Sequence, residues 1–250
     1  MAVALRLPCA LVSALVLVML PAATRGQQPA RPRGWSDATH AAGVAPDYAR
    51  LFSMDRVHEI RIAIAPDTFN KMQADLNDIM ASGPFGRGRG PGGPPQFPPG
   101  GGPGRGGPVT LTSREPRYVP VTVEHEGRVW TKVAMRFKGN SSLMFAASQG
   151  NGKVPFRLDF DEYEKESPEI KDQHFYGFGK LTFSSNAMDD SQLREVLGSE
   201  VFRDRGVPAA RAAFYRVNVD TGSGYEYWGL YAMVEDPADG AMLQAQFGSR

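Results

Sequence analysis

Two cations and a hydroxyl-rich turn stand together in Met135-Arg136-Phe137-Lys138-Gly139-Asn140-Ser141-Ser142. Arg136 and Lys138 share parity, so in a strand both point to one face while Met135 and Phe137 point to the other. The turn adds a flexible glycine, an amide, two hydroxyls and backbone N–H groups. Fixed positive charge followed by hydrogen-bond donors suits a phosphate. An exposed basic strand face that ends in an ordinary turn accounts for the same residues. Arg157 lies on the polar side of the next alternation, Phe156-Arg157-Leu158-Asp159-Phe160. It joins the other two cations if the two strands are neighbours. Three cations so close repel one another, and an anion relieves the conflict.

Other chemistries find less support. His40, His58, His125 and His174 are scattered and fit no metal spacing. No Gly-x-Ser-x-Gly elbow occurs. Asp159, Asp161, Glu162, Glu164 and Glu166 read as a solvated strand end and turn rather than a general acid and base.

The elements that must position the cations are legible from periodicity. Ile60, Ile62 and Ile64 alternate in a strand over 57–65. Pro66 opens a helix whose Phe69, Met72, Leu76 and Ile79 recur at three- and four-residue steps. Val119, Val121 and Val123, a Glu126-Gly127 turn, and Val129 to Phe137 at period two predict a hairpin. Phe156 to Phe160 and Leu181 to Phe183 predict two further strands. Asp189 or Asp190 can cap a helix with the apolar stripe Leu193, Val196, Leu197 and Val201, stopped by Gly206 and Pro208. Phe214 to Val219 and Tyr225 to Val234 predict a second hairpin, and Asp236-Pro237 a last helix that Gly248 ends. Strands joined directly by hairpins predict an α+β fold, a mostly antiparallel sheet with flanking helices.

The chain opens on a weakly positive start, an apolar run from Leu11 to Leu20, and small residues at Ala22, Ala23 and Gly26. That pattern predicts a signal peptide over 1–26, too short in its apolar part to span a bilayer, and export to the periplasm or the medium. Cys9, the sole cysteine, lies inside it, so the exported product has no disulfide. Removing 1–26 takes Arg6 and Arg25 and no acidic residue, which leaves 26 basic against 27 acidic side chains. That balance argues against a nucleic-acid partner, and no second long apolar run argues for a membrane. Residues 27–46 read as a flexible lead-in and 47–250 as one domain. Within that domain, 83–108 holds 12 glycines and 8 prolines among 26 residues, too few apolar side chains for a core, and reads as an insertion.

Taken in order, the pieces resemble the CotH kinase family, the atypical protein kinases named for spore coat protein H. The resemblance rests on Arg136 to Ser142, Phe156-Arg157-Leu158-Asp159-Phe160-Asp161, Tyr176-Gly177 before Lys180-Leu181, Asp190 to Glu195, Gly206-Val207-Pro208-Ala209, and Trp228-Gly229-Leu230-Tyr231 before Glu235. It runs from about Leu51 to Gly248 and implies a kinase-like N-terminal lobe. It implies a nucleotide contacted by Arg136, Lys138, Gly139, Asn140, Ser141 and Ser142. Arg157 falls where the family often has lysine, Glu195 is the candidate partner carboxylate, and Met233 to Glu235 the hinge beside adenine. ATP with Mg or Mn, and a protein Ser or Thr acceptor, are implied with it. Neither His-Arg-Asp nor Asp-Phe-Gly occurs, and the family carries its catalytic and metal-binding aspartates in a later lobe. The expectation is the nucleotide-binding portion of an exported kinase, inactive as this fragment, with no metal ligand and no catalytic residue assigned. A secreted non-catalytic binding or coat-type module on the same fold is the alternative.

Overall fold

Period-two apolar residues force each strand to bury one face, and seven such strands bury theirs together by closing on themselves. The computed structural model describes residues 29–82, 112, 114–150 and 152–248. The expected signal peptide and the Gly/Pro-rich stretch lie outside these. Two short helices, α1 (Asp37–His40) and α2 (Tyr48–Leu51), precede β1 (His58–Ala63) and the long α3 (Pro66–Ser82). Then follow β2 (Val119–His125), β3 (Arg128–Phe137), α4 (Ser141–Ser148), β4 (Phe156–Asp159), β5 (Lys180–Ser184), α5 (Arg194–Asp204), β6 (Ala212–Asp220), β7 (Tyr225–Glu235) and α6 (Ala241–Phe247). The strands form a closed barrel in the order β1-β2-β3-β4-β5-β7-β6. Six of the seven seams are antiparallel, and β1 closes the barrel by pairing parallel to β6, with His58 opposite Tyr215 and Ala63 opposite Asp220. The expected α+β, mostly antiparallel architecture is present, and its closure is an addition to it.

The barrel interior is filled chiefly by apolar side chains. Ile60, Val133, Phe137, Phe156, Leu158 and Phe183 are all buried in one core. Phe156 stacks on Phe183 with ring centroids 4.6 Å apart. Two pairings depart from strict alternation, β2–β3 and, between Val217 and Asn218, β6–β7. Lys132 adopts φ 55°, and the pairing shifts between Val121 and Val123. The bulge inserts one extra residue and flips parity. Val133, Met135 and Phe137 point inward as expected, but upstream of the bulge it is Trp130 that is buried, and Val129 is exposed.

Four further expectations change. The Gly139–Ser142 turn is shorter than predicted, because Ser141 and Ser142 already form the first turn of α4. The stripe of α5 is not buried: only Val196 is, against Ala212 and Ala232, while Leu193, Leu197 and Val201 face solvent. The helix meets the barrel wall over about one turn, so the rest of its apolar face has no wall to cover. The last helix begins at Ala241 after a 3₁₀ turn over Pro237–Asp239, not at Asp236. From residue 29 onward, the stretch read as a flexible lead-in packs on the barrel. His40 is buried there, stacked on Trp130 at 4.4 Å and hydrogen-bonded through Nε2 to the Val129 carbonyl at 3.0 Å.

Candidate functional site

The outer face of the barrel holds what the inner face excludes. Arg136 of β3 stands directly opposite Arg157 of β4, Arg157 opposite Thr182 of β5, and Thr182 opposite Val234 of β7. Side chains level with one another on adjacent strands share a face, so this row is continuous across four strands. Lys138 extends the same parity just beyond β3, where its N–H donates to the Pro155 carbonyl at 2.9 Å. The neighbour relation required for the three cations to converge is therefore met.

The anion among them is the protein's own. Asp236, immediately after β7, has a side chain 2% exposed, and its Oδ2 lies 2.6 Å from an Arg157 guanidinium nitrogen. The Thr182 hydroxyl donates to the same oxygen at 3.0 Å, and Lys138 Nζ lies 3.8 Å from it. Lys138 Nζ also donates to Thr182 Oγ1 at 2.9 Å. Burial pulls the Lys138 pKa below its usual value, with Asp236 opposing the shift. Burial disfavours the charge on Arg157 too, but Asp236 and the Tyr118 hydroxyl outweigh it and raise its pKa.

Arg136 is the most enclosed of the three. It lies over the Tyr118 ring at 5.1 Å and pairs with Glu115 at 3.0 Å, a carboxylate on a side chain 82% exposed. The Nε donors of both Arg136 and Arg157 are buried without a hydrogen-bond partner. Two unspent guanidinium donors side by side favour a further acceptor.

The loop after Lys138 is built tightly. Gly139 has φ 109°, and a Cβ there would run into Ser142 Oγ. A side chain at 139 would therefore strain both the backbone and the entry to α4. Asn140 occupies the N-cap position of α4 without capping it through its side chain. Ser141 and Ser142 follow as exposed first-turn residues.

The other expected site residues divide. Glu195 sits exposed at the start of α5, where its charge acts on Lys138. Asp189 holds that helix start by accepting from the Arg194 N–H at 2.8 Å. Glu235 is buried but turned away from the cluster: it accepts from the Tyr48 hydroxyl and from the Arg211 N–H at 3.1 Å. The aromatics of β7 do not gather around one pocket. Tyr231 is buried, Trp228 packs near Phe69 of α3, and Tyr225 and Tyr227 are exposed.

The residues that periodicity did not single out are Tyr118, Thr182 and Asp236. Asp236 before Pro237 reads as a helix start, and no local pattern marks it as the partner of Arg157. The acidic stretch is also more buried than a solvated turn. Asp159 is 1% exposed and accepts from Lys180 Nζ at 2.7 Å. Burial and a hydrogen bond with Asp159 push the Asp161 pKa up to about 6. Among the described residues no group of three or more His, Cys, Asp or Glu side chains is placed to hold a metal ion, and no helix is long and apolar enough to cross a membrane.

Residues 135–250 match the family model described as CotH kinase protein. This portion of the chain is similar to that family, and it contains Arg136, Lys138, Arg157, Thr182 and Asp236. The match begins inside β3, so β1, β2 and the Tyr118 and Glu115 cover over Arg136 come from outside it. No curated protein matches the chain.

Proposed function

We propose that this chain is the nucleotide-binding portion of an exported CotH-type protein kinase, whose γ-phosphoryl acceptor is a protein Ser or Thr. The observation that carries the reading is the convergence of Arg136, Lys138 and Arg157 on one outer face of the barrel, with two buried guanidinium donors unspent. Such a surface suits the triphosphate of ATP: the guanidinium groups offer forked donors, and Lys138 offers a compact charge. Gly139 lets the chain turn closely over that surface, and the first-turn N–H groups of α4 add donors beside it. The bound nucleotide supplies the transferable phosphoryl group. These residues bind and orient it and offset its charge. Among the described residues no group of three or more His, Cys, Asp or Glu side chains is placed to hold Mg or Mn.

Isothermal titration with ATP tests the reading. Lys138→Ala and Arg157→Ala should each weaken binding by about 1.5–3 kcal/mol, the loss of one charged hydrogen bond. Unchanged affinity in both variants would remove the nucleotide from the reading.

One observation favours a second reading, a secreted binding or coat-type module. Leu193, Leu197, Val201 and Phe202 of α5 and Leu243 and Phe247 of α6 all face solvent. Exposed apolar surface of this kind serves protein contact. The two readings part at the ATP titration.

A further inference from the structure

An inner anion among three cations sets a condition on any outer one. The Asp236 carboxylate comes from the β7 side of the row and Arg136 from the β3 side, with Arg157 between them. Asp236 is the sole buried carboxylate in contact with Arg157 and Lys138 among the described residues. The other acids near the cluster, Glu115, which pairs with Arg136, and Glu195, are on exposed side chains. A single phosphate that settles on Arg157 therefore meets a fixed negative charge, held there by the Thr182 hydroxyl at 3.0 Å. At such short range, in a site that water reaches poorly, that repulsion is large. A run of phosphoryl groups meets the same charge once but gains several partners. It can engage the guanidinium groups of Arg136 and Arg157 and, past the carboxylate, Lys138.

We infer that Asp236 is a specificity-determining residue, which makes the cation cluster select a polyphosphate over a single phosphate. The inference rests on the reading of the cluster as a phosphate site and adds the class of ligand it rejects. Selectivity here comes from a repulsive element rather than from an extra attraction. Asp236 also offsets the repulsion between Arg157 and Lys138 when no ligand is present, while Glu115 pairs with Arg136.

The test uses inorganic phosphate and inorganic tripolyphosphate as probes, titrated calorimetrically into the chain and into Asp236→Asn. The native chain should prefer tripolyphosphate by about 100-fold or more, and Asp236→Asn should shrink that preference by about tenfold, chiefly because inorganic phosphate gains. An unchanged or wider preference overturns the inference, as does failure of the native chain to bind either probe. If Asp236→Asn does not fold, Thr182→Val serves in its place: it removes the hydroxyl that holds the carboxylate and accepts from Lys138, and leaves the net charge of the cluster unchanged. The same shift should then appear at about threefold, the size expected for one lost neutral hydrogen bond. A parallel ATP titration separates the two readings. ATP no tighter than tripolyphosphate, with the preference shifting as expected, removes the nucleotide and leaves Asp236 its role. Tight ATP binding with no shift removes the role of Asp236 alone.

Discussion

Arg136 and Phe137 are neighbours in sequence, and so are Arg157 and Leu158, yet the two faces of β3 and β4 handle charge in opposite ways. On the inner face burial lowers the pKa of His58 and His125 and raises those of Tyr215 and Tyr231, so all four sit neutral among rings. His58 stacks on Tyr215 at 4.8 Å, and His125 lies edge-on to Phe175 and Tyr176. On the outer face Arg136, Lys138 and Arg157 keep their charges and take carboxylate partners. A neutralised group contributes packing and nothing a ligand can exchange with. A paired charge can change partners. The inner face therefore sets stability, and the outer face sets binding.

The largest expected effect belongs to the inner face. Phe183 is fully buried between Phe156 and Tyr215. Phe183→Ala should cost about 4 kcal/mol in a urea titration, because it leaves a cavity as well as losing transfer energy. A cost below that of the outer-face changes described next would break the comparison.

The next effect is a pH dependence. Burial lowers the His125 pKa to about 4 from an ordinary 6.5. The unfolded chain therefore takes up this proton at higher pH than the folded one. The stability linked to His125 is complete above about pH 6.5 and is lost as pH falls toward 4. Asp161 and Asp239, whose pKa values burial raises to about 6, act with the opposite sign in the same window, because the folded state binds their protons first. Comparing His125→Phe with the native chain at each pH cancels those two. The difference should move in favour of the variant by about 3 kcal/mol between pH 7 and pH 4, at about 1.4 kcal/mol for each unit of displaced pKa. A flat difference would show that His125 is not held neutral.

At the edge of the outer face, Gly139→Ala should cost about 2 kcal/mol in thermal unfolding, from the positive φ and the collision with Ser142 Oγ. A neutral result would mean that the loop relaxes and does not hold its shape over the cations. The smallest effect belongs to the outer face proper. The Lys138 side chain is 32% exposed and lies among two like charges. Lys138→Ala should change stability by less than about 0.5 kcal/mol while it weakens ATP binding. A large loss of stability would erase the division between the faces.

Much of this molecule is local and was legible as such. Ile60 and Ile62, Val133 to Phe137, and Phe156 to Phe160 alternate because a strand has period two, and each buries the face that its apolar residues mark. Pro66 opens α3 and Asp189 holds the start of α5, since proline geometry and a capping carboxylate act over a few residues. The shared face of Arg136 and Lys138 follows from parity alone. What tertiary structure decided is everything that joins distant segments. Barrel closure by the parallel β1–β6 pair depends on two strands more than a hundred residues apart, and neither one states its partner. The bulge at Lys132 moves Val129 outward and Trp130 inward, because register against β2 outranks the local alternation. The apolar stripe of α5 is correct as a helical period and says nothing of how little wall lies beneath it. Asp236, the residue that answers the repulsion between Lys138 and Arg157, comes from just beyond the far end of β7. Parity names the cations, but only the order of the strands around the barrel sets a carboxylate among them.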